Sequence, residues 1–245
     1  NLIQFFKRKD VKKLEKRGMA SPDHVLRTKG KPIFLETVDL ASGSGGINNK
    51  VVQFREDYLK YFQRQEPNAT ERKKILKSDP KHAWIENIGV LGIGANGKAA
   101  SAAADLAEQN ILVRGVGEDY GGFYPLKEKD MFDCEYWSLE QAKLGKGASP
   151  VFQGKVVIVT GGAGAIGFAV AKAFSKLGAN LLIVDNDVER LDQAKKQLTP
   201  WDASITCDIT KPDSAEKIME AAIWNFGGVD ILISNAGTAT SGAVI

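Results

Sequence analysis

Thr160, Gly161, Gly162, Gly164 and Gly167 have the types and the spacing to bind an anion. The apolar run Val156 to Val159 stops at these residues, and a helical pattern begins directly behind them. A strand ending in a glycine turn leaves the first amides of the next helix without acceptors, aimed at one spot. The helix dipole adds positive potential there, so the chemistry on offer is the holding of a pyrophosphate. The glycines at 162, 164 and 167 satisfy the G-x-G-x-x-G spacing. That pattern is weak evidence by itself and gains weight from the order of the elements behind it.

Behind the turn, Ile166, Val170, Phe174 and Leu177 recur at helical spacing, with Ala169 and Ala173 beside them and Gly178 as the stop. Asn180 to Val184 reads as a second buried strand ending at Asp185. An acid at that distance from Gly161 is where a dinucleotide site places a carboxylate on the adenosine ribose hydroxyls. It would also repel a 2′-phosphate, and no Lys or Arg stands in the turn or directly after Asp185, which favours NAD over NADP. Asp187 suits the N-cap of a helix from Val188 to Leu198.

A third strand runs from Ala203 to Cys207 into Asp208-Ile209-Thr210. Next comes a helix from Pro212 to Phe226, with Ile218, Met219, Ala222 and Phe226 as its apolar face. Val229 to Ser234 supplies a fourth strand, which runs into Asn235-Ala236-Gly237. Strands alternating with helices across short turns predict an α/β fold, a partial doubly wound parallel sheet with right-handed crossovers.

Taken together, Thr160-Gly161 to Gly167, Asp185, Asp208-Ile209, the Phe-Gly-Gly-Val-Asp run at 226 to 230 and Asn235-Ala236-Gly237 are specific. Residues 153 to 245 resemble the N-terminal half of a short-chain dehydrogenase/reductase. The resemblance implies that the turn, with Gly161, Ala163, Gly164, Ile166 and Gly167, holds the pyrophosphate, and that Asp185 holds the ribose. It further implies that Asp208 and Ile209 hold the adenine, while Asn235, Ala236 and Gly237 line the cofactor and brace the sheet. One position departs from the family's T-G-x-x-x-G-x-G pattern: Ala165 replaces its middle glycine. Two readings stand: a methyl group there crowds the phosphate or the strand beneath, at a cost of about 1–3 kcal/mol, or the turn tolerates alanine because the glycines at 162, 164 and 167 already give the G-x-G-x-x-G spacing; cofactor binding is expected to survive.

The family's catalytic Ser and Tyr-x-x-x-Lys belong several dozen residues beyond the Asn-Ala-Gly turn. Tyr120, Tyr124 and Tyr136 precede the glycine turn and lack a lysine at that spacing. The expectation is therefore no catalytic residue in this chain and no hydride transfer by it alone. Both ends look cut from a longer protein. A fourth strand left as an edge predicts poor solubility.

Residues 1–146 form a separate segment, followed by a linker at 147–152 that overlaps the small-residue stretch Gly145 to Pro150. Gly30 to Ile33 and Ala41 to Ile47 read as loops, and Asn49 to Gln65 as a helix packed through Val52, Phe54, Tyr58 and Phe62. Glu66 to Lys81 reads as a polar surface connection. Lys127 to Leu144 reads as one helix, with Phe132, Tyr136, Leu139 and Leu144 on the side that packs between the two halves.

A second glycine pattern, Gly92, Gly94 and Gly97, sits between Ile88 to Leu91 and an alanine-rich helix. It allows three readings: a turn with close backbone packing, a phosphate site, or a second dinucleotide site. After the run Ile111 to Gly117, no further parallel strand appears. Two phrases, Gly18 to His24 leading to Arg27-Thr28-Lys29, and Glu135 to Leu144, resemble the region joining the activities of bifunctional class II (rhamnulose-phosphate) aldolase/short-chain alcohol dehydrogenases. This resemblance implies a sugar-phosphate aldolase upstream, where zinc would belong, and a dehydrogenase acting on a small hydroxyaldehyde, alcohol or sugar derivative. Only His24 and His82 occur here, without an H-x-H pair, so no metal site is expected in this chain. His24 could touch a phosphate, line an interface or be structural; His82, in a charged stretch, reads as surface.

Residues 1–30 hold nine Lys or Arg against three Asp or Glu, and from 151 onward the balance is eight to ten. No groove-reading motif accompanies the basic start, so no nucleic-acid partner is expected, and Asp10 to Arg17 reads as a solvated helix with Val11 and Leu14 inward. No run of eighteen apolar residues and no signal-peptide pattern exist, so no membrane partner is expected. Cys134 and Cys207 lack metal-type spacing and read as thiols of a cytoplasmic protein, Cys207 a small hydrophobe at a strand end. A small-molecule substrate and a homo-oligomer at full length complete the expectation. A non-catalytic dinucleotide-binding module that stabilises or regulates a partner is the alternative.

Overall fold

The computed structural model describes residues 2–143 and 149–238, which divide into two compact units. The first runs α1 (Leu2–Phe6), α2 (Val11–Glu15), α3 (Pro22–Thr28), β1 (Ile33–Leu35), α4 (Thr37–Ala41), α5 (Gly43–Gln65), a 3₁₀ turn (Glu66–Asn68), β2 (His82–Ile85), β3 (Gly89–Gly92), α6 (Gly97–Asp119), α7 (Glu128–Glu135) and α8 (Ser138–Lys143). Its sheet has the order β1-β2-β3, with β1 parallel and β3 antiparallel to β2. Ile33, Leu35 and Ala83 pack on one side against Leu40, Val51 and Phe54. Phe34 and Trp84 pack on the other against Phe5, Phe6, Leu14 and Ile111.

Several local expectations for this unit change. Ala41 to Ile47 is not a loop, because α5 starts at Gly43, and Val52 is exposed while Val51 packs inward. The stretch from Lys127 is two helices, broken after Glu135. Tyr136 turns inward, with its hydroxyl 2.8 Å from that of Tyr58, while Leu139 is exposed and Leu144 lies outside the described residues. The break seats the Glu135 carboxylate beside Lys29 (3.4 Å) and the Tyr58 hydroxyl, which donates to it at 2.8 Å. Burial lifts the pKa of Glu135 and lowers that of Lys29. The run 111–117 lies within α6.

The second glycine pattern is accounted for by packing. A Cβ on Gly92 would stand 2.0 Å from the Ala100 carbonyl oxygen, and one on Gly94 2.4 Å from the Ala100 amide. Here the glycines let the end of β3 lie against the start of α6.

The second unit runs β4 (Val156–Thr160), α9 (Ala165–Lys176), β5 (Asn180–Asp185), α10 (Val188–Lys195), β6 (Ala203–Thr206), α11 (Ser214–Phe226) and β7 (Ile231–Ile233). All of its strands are parallel, in the order β6-β5-β4-β7. Every residue of β4 is buried, as expected for a parallel strand covered on both faces. Val157, Val159, Leu181 and Ile183 pack on Ala171, Leu191 and Ala194, while Ile158, Leu182 and Val184 pack on Ile218 and Ala222. This is a doubly wound α/β sheet with helices on both faces. Two assigned helix faces shift. In α9 the inward residues are Gly167 and Ala171 with Phe168 and Phe174, while Ile166 and Leu177 are exposed. In α11 Met219 is exposed. Apolar spacing at one period admits neighbouring faces, and the sheet selects between them.

Candidate functional site

The order β6-β5-β4-β7 reverses between β4 and β5 on one side and β7 on the other. The carboxyl ends of strands on either side of such a switch point leave a crevice. A cleft of about 540 Å³ opens there. It is lined by Gly161, Gly164, Ala165, Ile166 and Gly167 from the turn and α9, by Val184, Asp185 and Asn186 at the end of β5, by Cys207 to Thr210 after β6, and by Asn235 to Thr238 after β7.

The turn is built by its own amides. Gly161 has a φ of +61°, in the left-handed region that a side chain disfavours. The Gly162 amide donates to the Val184 carbonyl (3.0 Å), the Ala163 amide to Asp185 Oδ2 (3.0 Å) and the Gly164 amide to the Gly161 carbonyl (3.1 Å). Helix α9 then begins without a side-chain cap, and its first amide with an intrahelical acceptor is that of Phe168, which donates to Gly164 (2.8 Å). Ala165, Ile166 and Gly167 precede it and line the cleft, so their amides are the available anion donors.

Beneath them Asn235 closes the floor. Its Nδ2 donates to the carbonyls of Thr160 (3.0 Å) and Gly161 (3.2 Å). In return Thr160 Oγ1 accepts the amides of Asn235 and Ala236, both at 3.1 Å. A Cβ on Gly161 would meet the Asn235 amide group at 2.9 Å, so the strand end and the Asn-Ala-Gly turn are locked together by contact as well as by hydrogen bonds.

The side of the cleft formed at the ends of β5 and β6 is acidic. Asp185 Oδ1 accepts the Asp187 amide at 3.1 Å, and Asp187 itself caps α10 by accepting the Arg190 amide. Asp208 accepts the hydroxyl (2.7 Å) and amide (3.0 Å) of Thr210, which hold its pKa below the usual carboxylate value. No Lys or Arg is among the described residues lining the cleft, nor is any Tyr, Ser or His.

Ten of the eleven residues singled out from the sequence therefore line one cleft; Ala163 does not, because its amide is directed to Asp185. Ala165 sits exposed at the start of α9, so its methyl does not press on the strand, although it does line the cleft. Asn186, Cys207 and Thr210 line the cleft without having been singled out as site residues; each adjoins a residue that was, or closes its Asx turn, which was the available signal. Asp230 belongs to the sheet's other end, where it accepts the Lys155 ammonium (2.8 Å) and the Val156 amide (2.9 Å).

Neither histidine is a surface group. His24 is buried between Ser21 and Gln109. His82, expected at the surface, is 1% exposed within β2, and its Nδ1 lies 3.1 Å from the Thr28 carbonyl oxygen. Sequence context failed here because the charged stretch ends at the strand's first residue, whose ring turns inward. Among the described residues no group of three His, Cys, Asp or Glu could hold a metal ion, and no helix is long and apolar enough to cross a membrane.

Comparison with known proteins agrees with both units. The family described as aldolase class II, second domain, matches residues 1–144, and the short chain dehydrogenase family matches residues 155–244. An uncharacterized oxidoreductase, YuxG of Bacillus subtilis, is 29% identical over 98% of this chain and 36% of its own length. An L-fucose dehydrogenase of Bos taurus is 36% identical over 35% of this chain and 32% of its own length. A solved short-chain dehydrogenase/reductase of the glucose/ribitol dehydrogenase type, from Brucella melitensis, is 38% identical over 36% of this chain and 39% of its own, with a TM-score of 0.36. The chain spans about a third of the length of the curated relatives it matches, 36% of one and 32% of the other. It belongs to the class II aldolase second-domain family, and carries behind that domain a segment of a short-chain dehydrogenase/reductase.

Proposed function

We propose that the cleft binds a nicotinamide dinucleotide, NAD in preference to NADP, for an oxidoreductase acting on a small hydroxyaldehyde, alcohol or sugar derivative. The whole protein would couple this activity to a sugar-phosphate aldolase. The observation that carries the reading is a glycine turn with available helix amides in a cleft that also holds Asp185 and Asp208, with no cation among the described lining residues. The residues fit the cofactor: the amides of Ala165, Ile166 and Gly167 meet a pyrophosphate, and Asp185 accepts from ribose hydroxyls. A 2′-phosphate would face Asp185 uncompensated. When bound, the nicotinamide supplies hydride transfer, and the part of this chain is to hold and orient it. Similarity to a protein named L-fucose dehydrogenase supports a sugar-class substrate.

Titration of the chain with NADH and with NADPH tests the reading. NADH binding at least about tenfold tighter than NADPH is expected from one uncompensated carboxylate. Tighter NADPH binding, or binding of neither, would overturn it. Should the full-length natural product bind NADH tightly without turnover on any such substrate, the binding-module reading takes its place.

A further inference from the structure

We infer that Asp185 is a positioning residue for the pyrophosphate site, in addition to the ribose contact assigned above; the inference rests on the dinucleotide reading of the cleft. The amides of the turn find their acceptors in two different ways. Those of Gly162 and Gly164 are taken by backbone carbonyls close by, Val184 at 3.0 Å and Gly161 at 3.1 Å. The Ala163 amide between them is taken instead by a side chain, Asp185 Oδ2 at 3.0 Å, which reaches it from 22 residues further along the chain. The same carboxylate holds the Asp187 amide through Oδ1 at 3.1 Å. Asp185 is thus a clip between the glycine turn and the segment leaving β5. An ionised carboxylate has about four lone-pair positions, so two remain for ribose hydroxyls.

The clip bears directly on the phosphate donors. Ala165, Ile166 and Gly167 carry the amides available to a phosphate, and their direction is set by the entry of the chain into α9. That entry is made by residues 161–164, where Gly161 lies in the left-handed region and, among the described residues, Asp185 accepts the middle amide. Remove the carboxylate and the turn has a free N–H and one tie fewer, so the donors behind it lose pre-organisation. Asp185 therefore contributes to binding even a nucleotide that has no hydroxyl for it to touch. Changing it to admit NADP would weaken phosphate binding as well as alter selectivity.

A ligand–protein cycle on the whole chain separates the two roles. ADP and 2′,3′-dideoxy-ADP are titrated calorimetrically against the wild type, Asp185→Ala and Asp185→Asn. Asp185→Ala is expected to weaken dideoxy-ADP at least about fivefold, the net scale of one ordinary hydrogen bond. Asp185→Asn, whose amide oxygen can still accept from Ala163, should recover most of that loss while remaining poor toward the ribose hydroxyls of ADP. In the unliganded proteins, the Ala163 amide should exchange with solvent at least about tenfold faster in Asp185→Ala than in the wild type. Equal binding of dideoxy-ADP by wild type and Asp185→Ala would overturn the inference and leave Asp185 a ribose ligand only. Unchanged exchange at Ala163 would overturn it too, even without any ligand. If the wild type binds neither nucleotide, the dinucleotide reading fails, and the exchange rates still decide whether Asp185 holds the turn.

Discussion

Gly167 and Asn235 are in contact across the cleft floor: a methyl group on Gly167 would lie 2.6 Å from Asn235 Nδ2 and 2.2 Å from the Gly161 carbonyl oxygen. The Asn235 amide is held there by its bonds to Thr160 and Gly161 and cannot swing aside without breaking them. Gly167→Ala is therefore expected to destabilise the second unit by about 1–3 kcal/mol, through overpacking against backbone. It should also abolish dinucleotide binding. A urea midpoint unchanged from wild type would refute the contact.

Thr160 offers a test of the same floor from beneath. Its hydroxyl oxygen accepts two amides, those of Asn235 and Ala236. Thr160→Val keeps the shape and strands both donors, at about 1–3 kcal/mol, whereas Thr160→Ser should cost far less. Thermal melts of the two variants side by side would check this; equal losses would point to packing of the γ-methyl group instead.

Ala165 is where the chain departs from the glycine expected in its motif, and its exposed position predicts a small effect. Ala165→Gly is expected to change NADH affinity by less than about threefold and to lower the stability of α9 by about 0.5–1 kcal/mol. A gain of tenfold or more in affinity would mean that the methyl group does crowd the phosphate.

His82 gives the first unit a pH dependence. Burial, with the nearby charge of Arg114, holds its pKa down to about 3, while the unfolded chain has the ordinary value of about 6.5. Between those values the unfolded state binds the additional proton, so this contribution is present above about pH 6.5 and is lost as the pH falls toward 3. The slope is about 1.4 kcal/mol per pH unit within that window. Denaturant midpoints of wild type and His82→Gln between about pH 4 and 7 should diverge, with the wild type losing more as the pH falls. Parallel curves would show that some other group titrates there.

The second unit is legible in the sequence because its information is local. Each strand–turn–helix step is complete within about thirty residues, and each carries its own signal: Gly161, Asp185, Asp187 as a cap, Gly227 at a φ of +83°. Even there, spacing alone puts Ile166 and Leu177 on the apolar face of α9, where the fold exposes them. Periodicity defines a stripe, while the packed sheet chooses its centre.

Tertiary structure alone decided the rest. In the first unit β1 pairs with β2 through Ile33 and Ala83, strands of three and four residues whose pattern is too short to read and whose partners lie far apart in sequence. That pairing carries His82 inward, and the turn after Glu135 brings its carboxylate to Lys29 and Tyr58. In the second unit the residue types of the cleft were readable, but the assignment of each donor was not. Which amide meets Asp185, and which remain available for a phosphate, depends on distances between chain segments that only the folded sheet brings together.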